Sequence, residues 1–387
     1  MKVAHFLEGM ASLGVSFFTG VPDSLLKPLN DALYAEYGCT GQHVVAANEG
    51  GAAALAAGHY IATGKPALCY LQNSGIGNAV NPIASLLNSR VYGIPCIFAV
   101  GWRGKPGLKD EPQHAFQGLM TKDMLELLDL TVFELDAATT PEDFEQMLLK
   151  CEPLLQEGES IAWLIHQGFF SNGPNIAFAD AHTLLREDAL RVLLSASTLD
   201  DIMVSTTGKT SREVFELREM LGQGHTRDFL TVGSMGHANM IALGIAKAKP
   251  ERTVWCLDGD GAALMHLGGL VIEARECARN MVHVLLNNGA HESVGGMPVA
   301  GGHTRFAPLA QAAGYEACFT AESAEGLEAL MPLIRETAGK KRTFVEILLR
   351  QGSRKDLGRP TQTPQENLRG LMRELGGPES ARTEHGK

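Results

Sequence analysis

TVWCLDGDGAALMHLGGLVIEARECARNMVHVLLNNGA, residues 253–290, sets the grammar for the rest of the chain. An apolar, β-branched run over 253–257 ends in Asp258-Gly259-Asp260-Gly261, and 262–279 carries helical spacing. A second buried-strand pattern over 281–286 stops at Asn287-Asn288-Gly289. Strand, acidic glycine-rich turn, helix, strand and amide-rich turn make a parallel βαβ unit. Both turns of such a unit lie at the carboxyl edge of the sheet, where ligands bind. Asp260 and Asn288 are therefore expected to meet around one ion, although 27 residues (261–287) lie between them. A carboxylate and an amide oxygen are hard ligands suited to Mg²⁺, which readily shares its shell with phosphate oxygens. Gly259 and Gly261 let the backbone approach an anion, and the helix opening at Ala262 offers free N–H groups and a positive dipole end. Either turn alone is ordinary turn chemistry. Paired at this spacing, they describe a metal-plus-diphosphate site.

Size and composition frame that site. The 387 residues suffice for two or three domains. With 45% hydrophobic and 20% charged residues the chain is globular, and no run approaches transmembrane length, so no membrane association is expected. Residues 1–14 have a helical period interrupted by Glu8, which argues against a secretory leader. Seven scattered cysteines without a C-x-x-C pair fit reduced thiols in a cytoplasmic enzyme. A net charge of −11 argues against a nucleic-acid partner and means that an anionic substrate needs a local cluster of cations.

The first half alternates strands (15–18, 43–47, 67–71, 95–100 and 161–166) with helices, and a polar loop over 101–118 is long enough for a lid or binding role. The second half repeats the pattern, with strands over 201–205, 229–232 and 343–349 besides those of the opening stretch. The expected fold is α/β: two doubly wound parallel-sheet domains, 1–170 and 186–358, joined by a linker over 171–185. A polar, proline-containing tail over 359–387 is expected to be mobile.

Gly-Asp-Gly followed after about 25 residues by Asn-Asn resembles the thiamine-diphosphate motif of the decarboxylase and acetolactate synthase superfamily. The resemblance implies a pyrimidine-binding first domain and a diphosphate-binding second one. It assigns Mg²⁺ to Asp260, Asn288 and the carbonyl of Ala290, and the diphosphate to Gly259, Gly261, Ala262 and the Gly208-Lys209-Thr210 turn. Glu49, in A-N-E-G-G-A-A-A-L-A-A-G, becomes the acid that hydrogen-bonds N1′ of the aminopyrimidine and promotes its reactive imino form. Asn73 and Gly75 lie in a segment resembling the family's GPG-x-x-N turn, with Ile76 in place of Pro, and are expected near the pyrimidine. Ser234-Met235 resembles the stretch carrying a bulky side chain beneath the thiazolium. The chain has no room for the family's third domain, as in its compact decarboxylases. One cofactor must touch both Glu49 and Asp260, which the family arranges between neighbouring subunits, so a homodimer or larger homo-oligomer is expected.

G-V-P-D-S-L-L-K-P-L, W-R-G-K-P-G-L-K-D-E-P-Q-H and T-T-G-K-T-S-R-E together resemble the phosphonopyruvate decarboxylases, with the sulfopyruvate decarboxylases as the alternative. The implied substrate is a small anionic 2-oxo acid, 3-phosphonopyruvate, cleaved to phosphonoacetaldehyde and CO₂. Ser24, Lys27, Arg103, Lys105 and Lys109 are the candidates for holding its C3 anion. His114 is the first candidate for proton relay, ahead of His291 and His303. Two readings of other classes were weighed. A nicotinamide oxidoreductase lacks a G-x-G-x-x-G after the first strand, and a non-catalytic binding protein does not account for Glu49.

Overall fold

The computed structural model describes residues 1–39, 41–171, 173–174, 176, 178, 182–276, 278–299 and 304–376. Among them the apolar runs of the first half form one sheet: β1 (Phe18–Gly20), β2 (His43–Val45), β3 (Leu68–Gln72), β4 (Ile97–Gly101), β5 (Thr131–Leu135) and β6 (Ile161–Ile165). They pair in parallel in the order β2-β1-β3-β4-β6-β5. The central strands are apolar on both faces because helices cover both. Leu68, Tyr70, Ile97, Ala99 and Trp163 enter one core, while Cys69, Leu71, Phe98, Val100 and Leu164 enter the other.

The second half contributes β7 (Asp201–Ser205), β8 (Asp228–Leu230), β9 (Thr253–Gly259) and β10 (Met281–Asn287). After the two-residue strands β11 (Ala290–His291) and β12 (Met297–Pro298) come β13 (Ala317–Ala321) and β14 (Thr343–Leu348). The second parallel sheet has the order β13-β14-β10-β9-β7-β8. Numbered within its own sheet and read from the β8 end, this is second, first, third, fourth, sixth, fifth, the winding of the first sheet. The crevice where connections change direction therefore falls between β1 and β3 in one sheet and between β7 and β9 in the other. The chain divides into two compact units, Met1–Phe178 with His291–Ala300, and Ala179–Ala290 with Gly301–Lys387.

Three sequence expectations change. The helix read over 262–279 is two helices, Asp260–Met265 and Gly268–Glu276, separated at His266 (φ −134°, ψ 52°), just before the low-propensity pair Gly268-Gly269 that starts the second. The loop read over 101–118 ends early, because Pro112 opens a helix Pro112–Leu127 at a position that needs no N–H donor. His114 thus sits in a first helical turn.

The stretch read as a mobile tail contains the helix Pro364–Glu374, started by a capping box between Thr363 and Glu366. Leu371 enters the core beside Ile202, Val204 and Val254, and the Asn367 amide spans β8, accepting from Leu230 N at 3.0 Å and donating to Asp228 O at 2.9 Å. Replacing Asn367 by Ala leaves a buried strand N–H unpaired and is expected to cost about 1–3 kcal/mol in a denaturant melt. A melt identical to the parent's would show that this helix does not secure the edge strand.

Candidate active site

In the second unit β9 and β10 pair in register from Val254↔Met281 to Gly259↔Leu286, which sets their two turns side by side. Asp260 opens its helix and is 3% exposed. Burial pushes its carboxyl up to about 7, opposed by the backbone N–H groups of Gly261 and Gly289. The Gly289 N–H at Asp260 is the direct sign that the two distant turns meet. Oδ2 of Asp260 is buried without a hydrogen-bond partner among the described residues. An unpaired buried oxygen of this kind is costly, and a divalent cation would relieve it. Asn287 anchors the amide-rich turn by donating to Glu346 Oε1 at 2.9 Å, and Asn288 Oδ1 accepts from Ala290 N at 3.1 Å.

Two further turns lie at the carboxyl ends of β7 and β8. Gly208 has φ +95° immediately before the helix Lys209–Met220, a conformation that favours glycine. Ser234 holds φ +53° without being glycine, the local strain often found at binding sites, and Met235 beside it is half-buried.

In the first unit Glu49 is the first residue of the helix Glu49–Thr63, whose end is capped by Asn48 accepting from Gly51 N. It is 4% exposed, and its Oε2 accepts from Asn78 Nδ2 at 2.7 Å. Burial raises its pKa, against the pull of Asn78 and its own backbone N–H, which favours the protonated acid. Asp23, just beyond β1, is fully buried and accepts from Gln72 Nε2 at 2.5 Å and from Leu25 and Leu26 N at 3.1 and 3.3 Å. Burial raises its pKa too, opposed by the Gln72 hydrogen bond and the Arg103 charge.

Arg103 donates to Ser24 Oγ at 3.0 Å and grips Asp110 through two bonds at 2.8 and 2.5 Å. That bidentate pair holds the Asp110 carboxyl well below the usual range. Asn73 donates to Arg103 O and Thr121 Oγ1, both at 2.8 Å, and accepts from Arg103 N at 3.2 Å, so its amide positions the loop.

Of the residues expected to hold an anion, Ser24 and Arg103 are brought together. Lys27 pairs with Asp31 one turn along its own helix. Lys105 meets His166 Nδ1 at 2.7 Å beyond β6, and Lys109 is exposed. His114 is buried, its pKa lowered by burial and by Arg103, and its Nδ1 has no hydrogen-bond partner among the described residues. Burial pushes His291 down to about 4. His303 lies outside the described residues.

Residues 1–127 match the model of the thiamine pyrophosphate enzyme N-terminal TPP binding domain, and residues 206–347 that of the C-terminal TPP binding domain. The chain belongs to the thiamine pyrophosphate enzymes. It is 35% identical over 383 residues to the phosphonopyruvate decarboxylase of Streptomyces viridochromogenes, covering 95% of this chain and 93% of that one. With the phosphonopyruvate decarboxylase of Streptomyces hygroscopicus it shares 34% over 386 residues, covering 95% and 92%. The sulfopyruvate decarboxylase of Methanosarcina acetivorans is 25% identical over 374 residues, covering 90% and 91%. This thiamine pyrophosphate enzyme is therefore a 2-oxo acid decarboxylase, and the nicotinamide and non-catalytic readings are set aside. No helix among the described residues is long and apolar enough to cross a membrane.

In this thiamine pyrophosphate enzyme Gly75 has a packing reason to be glycine. A Cβ there would lie 2.1 Å from Glu49 Oε1 and 2.4 Å from its Cδ. Gly75→Ala is expected to displace the Glu49 carboxyl and lower turnover about 10²-fold, the scale of an ångström misplacement. Steady-state kinetics beside a thermal melt check this; parental turnover would mean that Glu49 need not hold its observed position.

Asp23, Asn78 and Glu346 are not among the site residues expected from the sequence. Asp23 carried a usable signal, an acid directly beyond the first strand of a doubly wound sheet. Asn78 and Glu346 reach their partners only through the tertiary fold.

Proposed function

We propose that this enzyme decarboxylates 3-phosphonopyruvate to phosphonoacetaldehyde and CO₂, using thiamine diphosphate and Mg²⁺. The observation that carries the substrate is the likeness, at 34–35% identity along nearly the whole of each chain, to two phosphonopyruvate decarboxylases, against 25% for the sulfopyruvate enzyme. The donor set fits the cofactor and cation: a buried Asp260 oxygen without a partner among the described residues, the Asn288 amide on the adjoining turn, and a buried Glu49 whose pKa burial raises. When bound, thiamine diphosphate supplies the electron sink that makes loss of CO₂ possible.

The chain's own groups do the rest. Asp260, Asn288 and the Ala290 carbonyl would hold Mg²⁺, while Gly208, Gly259, Gly261 and Ala262 would receive the diphosphate through backbone N–H groups. Ser234 and Met235 would support the ring system, and the Glu49 carboxyl would hydrogen-bond a ring nitrogen. Arg103 and Ser24 bind the C3 anion, with Lys27, Lys105 and Lys109 as supporting positive charge. Neutral His114 shuttles a proton to the product carbon. The enzyme acts in the cytoplasm as an assembly of at least two copies; a fully active monomer in sedimentation would refute the assembly.

The deciding assay measures CO₂ and aldehyde released from phosphonopyruvate, sulfopyruvate and pyruvate with both cofactors present. Phosphonopyruvate is expected to be consumed fastest. Turnover of sulfopyruvate without phosphonopyruvate would overturn the substrate assignment.

A further inference from the structure

The cofactor-facing turns of the second unit trace back to one buried carboxylate. Glu273, on the helix Gly268–Glu276, is fully buried. Its Oε1 accepts from Asn239 Nδ2 at 2.6 Å, and its Oε2 accepts from Tyr315 Oη and lies against His283 Nδ1, both at 2.7 Å. On the far side of the imidazole, His283 Nε2 faces Asp258 Oδ2 at 3.7 Å, a charge contact rather than a hydrogen bond. The Asp258 carboxylate also accepts from Gly259 N at 2.9 Å and from the Thr206 hydroxyl.

Each partner leads to a different turn. Asn239 lies in the first turn of the helix Ala238–Ala248, which begins just after Ser234-Met235-Gly236. His283 lies on β10, the strand that ends in Asn287 and feeds the Asn288 turn. Asp258 precedes Gly259-Asp260, and Thr206 opens the turn to Gly208. The contacts that start at Glu273 thus extend toward all four turns.

These groups interrupt a sheet face otherwise built from Ile202, Val204, Val254, Cys256, Leu285 and Phe344. Burial works against charge on His283, yet Glu273, by charge and hydrogen bond, and then Asp258 hold its pKa above the ordinary value. Removing such charges from water is costly, and well-packed apolar side chains could fill the space at less cost. A charge-assisted, directional network provides fixed position, which an apolar core does not.

We propose that Glu273 is a positioning residue that, through Asn239 and the His283–Asp258 pair, holds the four turns in the geometry that binds thiamine diphosphate and its cation. The inference rests on the reading of those turns as the cofactor site.

The test compares Glu273→Gln and His283→Gln with a control, Asp228→Asn. Asp228 forms an equally buried pair with Arg218, at 2.8 Å, but stands at the amino end of β8, away from the carboxyl-edge turns. Mg²⁺ and thiamine diphosphate are titrated into each full-length protein by calorimetry, and thermal midpoints are recorded. The control is expected to lose thermal stability while keeping the parent's dissociation constants. The Glu273 and His283 variants are expected to weaken Mg²⁺-dependent cofactor binding by about 10- to 100-fold, the scale seen when partners of metal ligands are removed. At saturating cofactor their substrate KM is expected to remain parental.

Tyr315→Phe removes one donor to Glu273 and is expected to give a smaller shift in the same direction, which keeps the test decisive if the other variants fail to fold. Parental affinity in all variants that fold would overturn the positioning role. Cys256, Asp258 and His283 offer ligand atoms within 4.8 Å of one another. One equivalent of tightly held transition metal, lost in His283→Gln, would likewise overturn it. A parent that binds no thiamine diphosphate would instead sink the cofactor-site reading itself.

Discussion

Glu49→Gln is expected to bind thiamine diphosphate and Mg²⁺ as the parent does and to lose about 10²–10⁴-fold in turnover, the range of a removed general acid. The replacement is nearly isosteric. A Gln side chain can still accept the 2.7 Å bond from Asn78 and rest against Gly75, so the local packing survives. What it cannot do is transfer a proton. Burial already holds Glu49 toward its protonated form, which is the state the relay requires. Exchange of the cofactor's C2 proton, followed by NMR, is expected to slow with turnover and separates loss of activation from loss of binding. Turnover and exchange at parental rates would remove Glu49 from the mechanism.

Asp260→Asn is expected to abolish Mg²⁺-dependent retention of the cofactor, and chelation of the parent should reproduce the effect reversibly. The amide removes the charge from a buried carboxyl whose Oδ2 has no hydrogen-bond partner among the described residues. The same change has an opposite consequence for the metal-free fold. The carboxyl of metal-free Asp260 is raised from 3.8 to about 7, so its contribution to stability is complete at low pH and is lost as pH rises through that value. In the presence of chelator the parent should therefore be less stable at about pH 8 than at about pH 5, and Asp260→Asn should show a weaker decline. Thermal midpoints at the two pH values measure this. A variant that still binds cofactor in a Mg²⁺-dependent way would exclude Asp260 as the metal ligand.

The architecture was legible because its signals are local. The apolar runs that become β3, β4, β6, β9 and β10 are continuous, as strands buried on both faces must be, and turn residues follow them directly. The pairing of the 258–261 turn with the 287–289 turn was readable for the same reason, since βαβ topology brings the ends of consecutive strands to one edge.

What escaped the reading depends on contacts between segments far apart in the chain. Nothing in the vicinity of Glu273 marks it as the partner of His283, Asn239 and Tyr315, which arrive on three other elements. Pro112 was read as part of a loop, though it is equally at home opening a helix, and the polar residues after it gave no apolar stripe. The helix Pro364–Glu374 was passed over because its buried face is narrow, with Asn367, Gly370 and Leu371 as its buried residues. Charge alone likewise does not reveal that Lys27 meets Asp31 or that Lys105 meets His166.

The shared winding of the two sheets bears on ancestry. In each, the crevice between the first and third strands is bridged by a buried aspartate: Asp23 to Gln72 in one, Asp258 to Thr206 in the other. Duplication of one ancestral half would account for the common strand order. The first unit carries a buried carboxyl, Glu49, whose pKa burial raises; the second carries Asp260, with a buried oxygen that has no partner among the described residues. On that descent the strand order was kept while the acids at the two crevices diverged, so specialisation of the copies, rather than invention of a second fold, produced their difference.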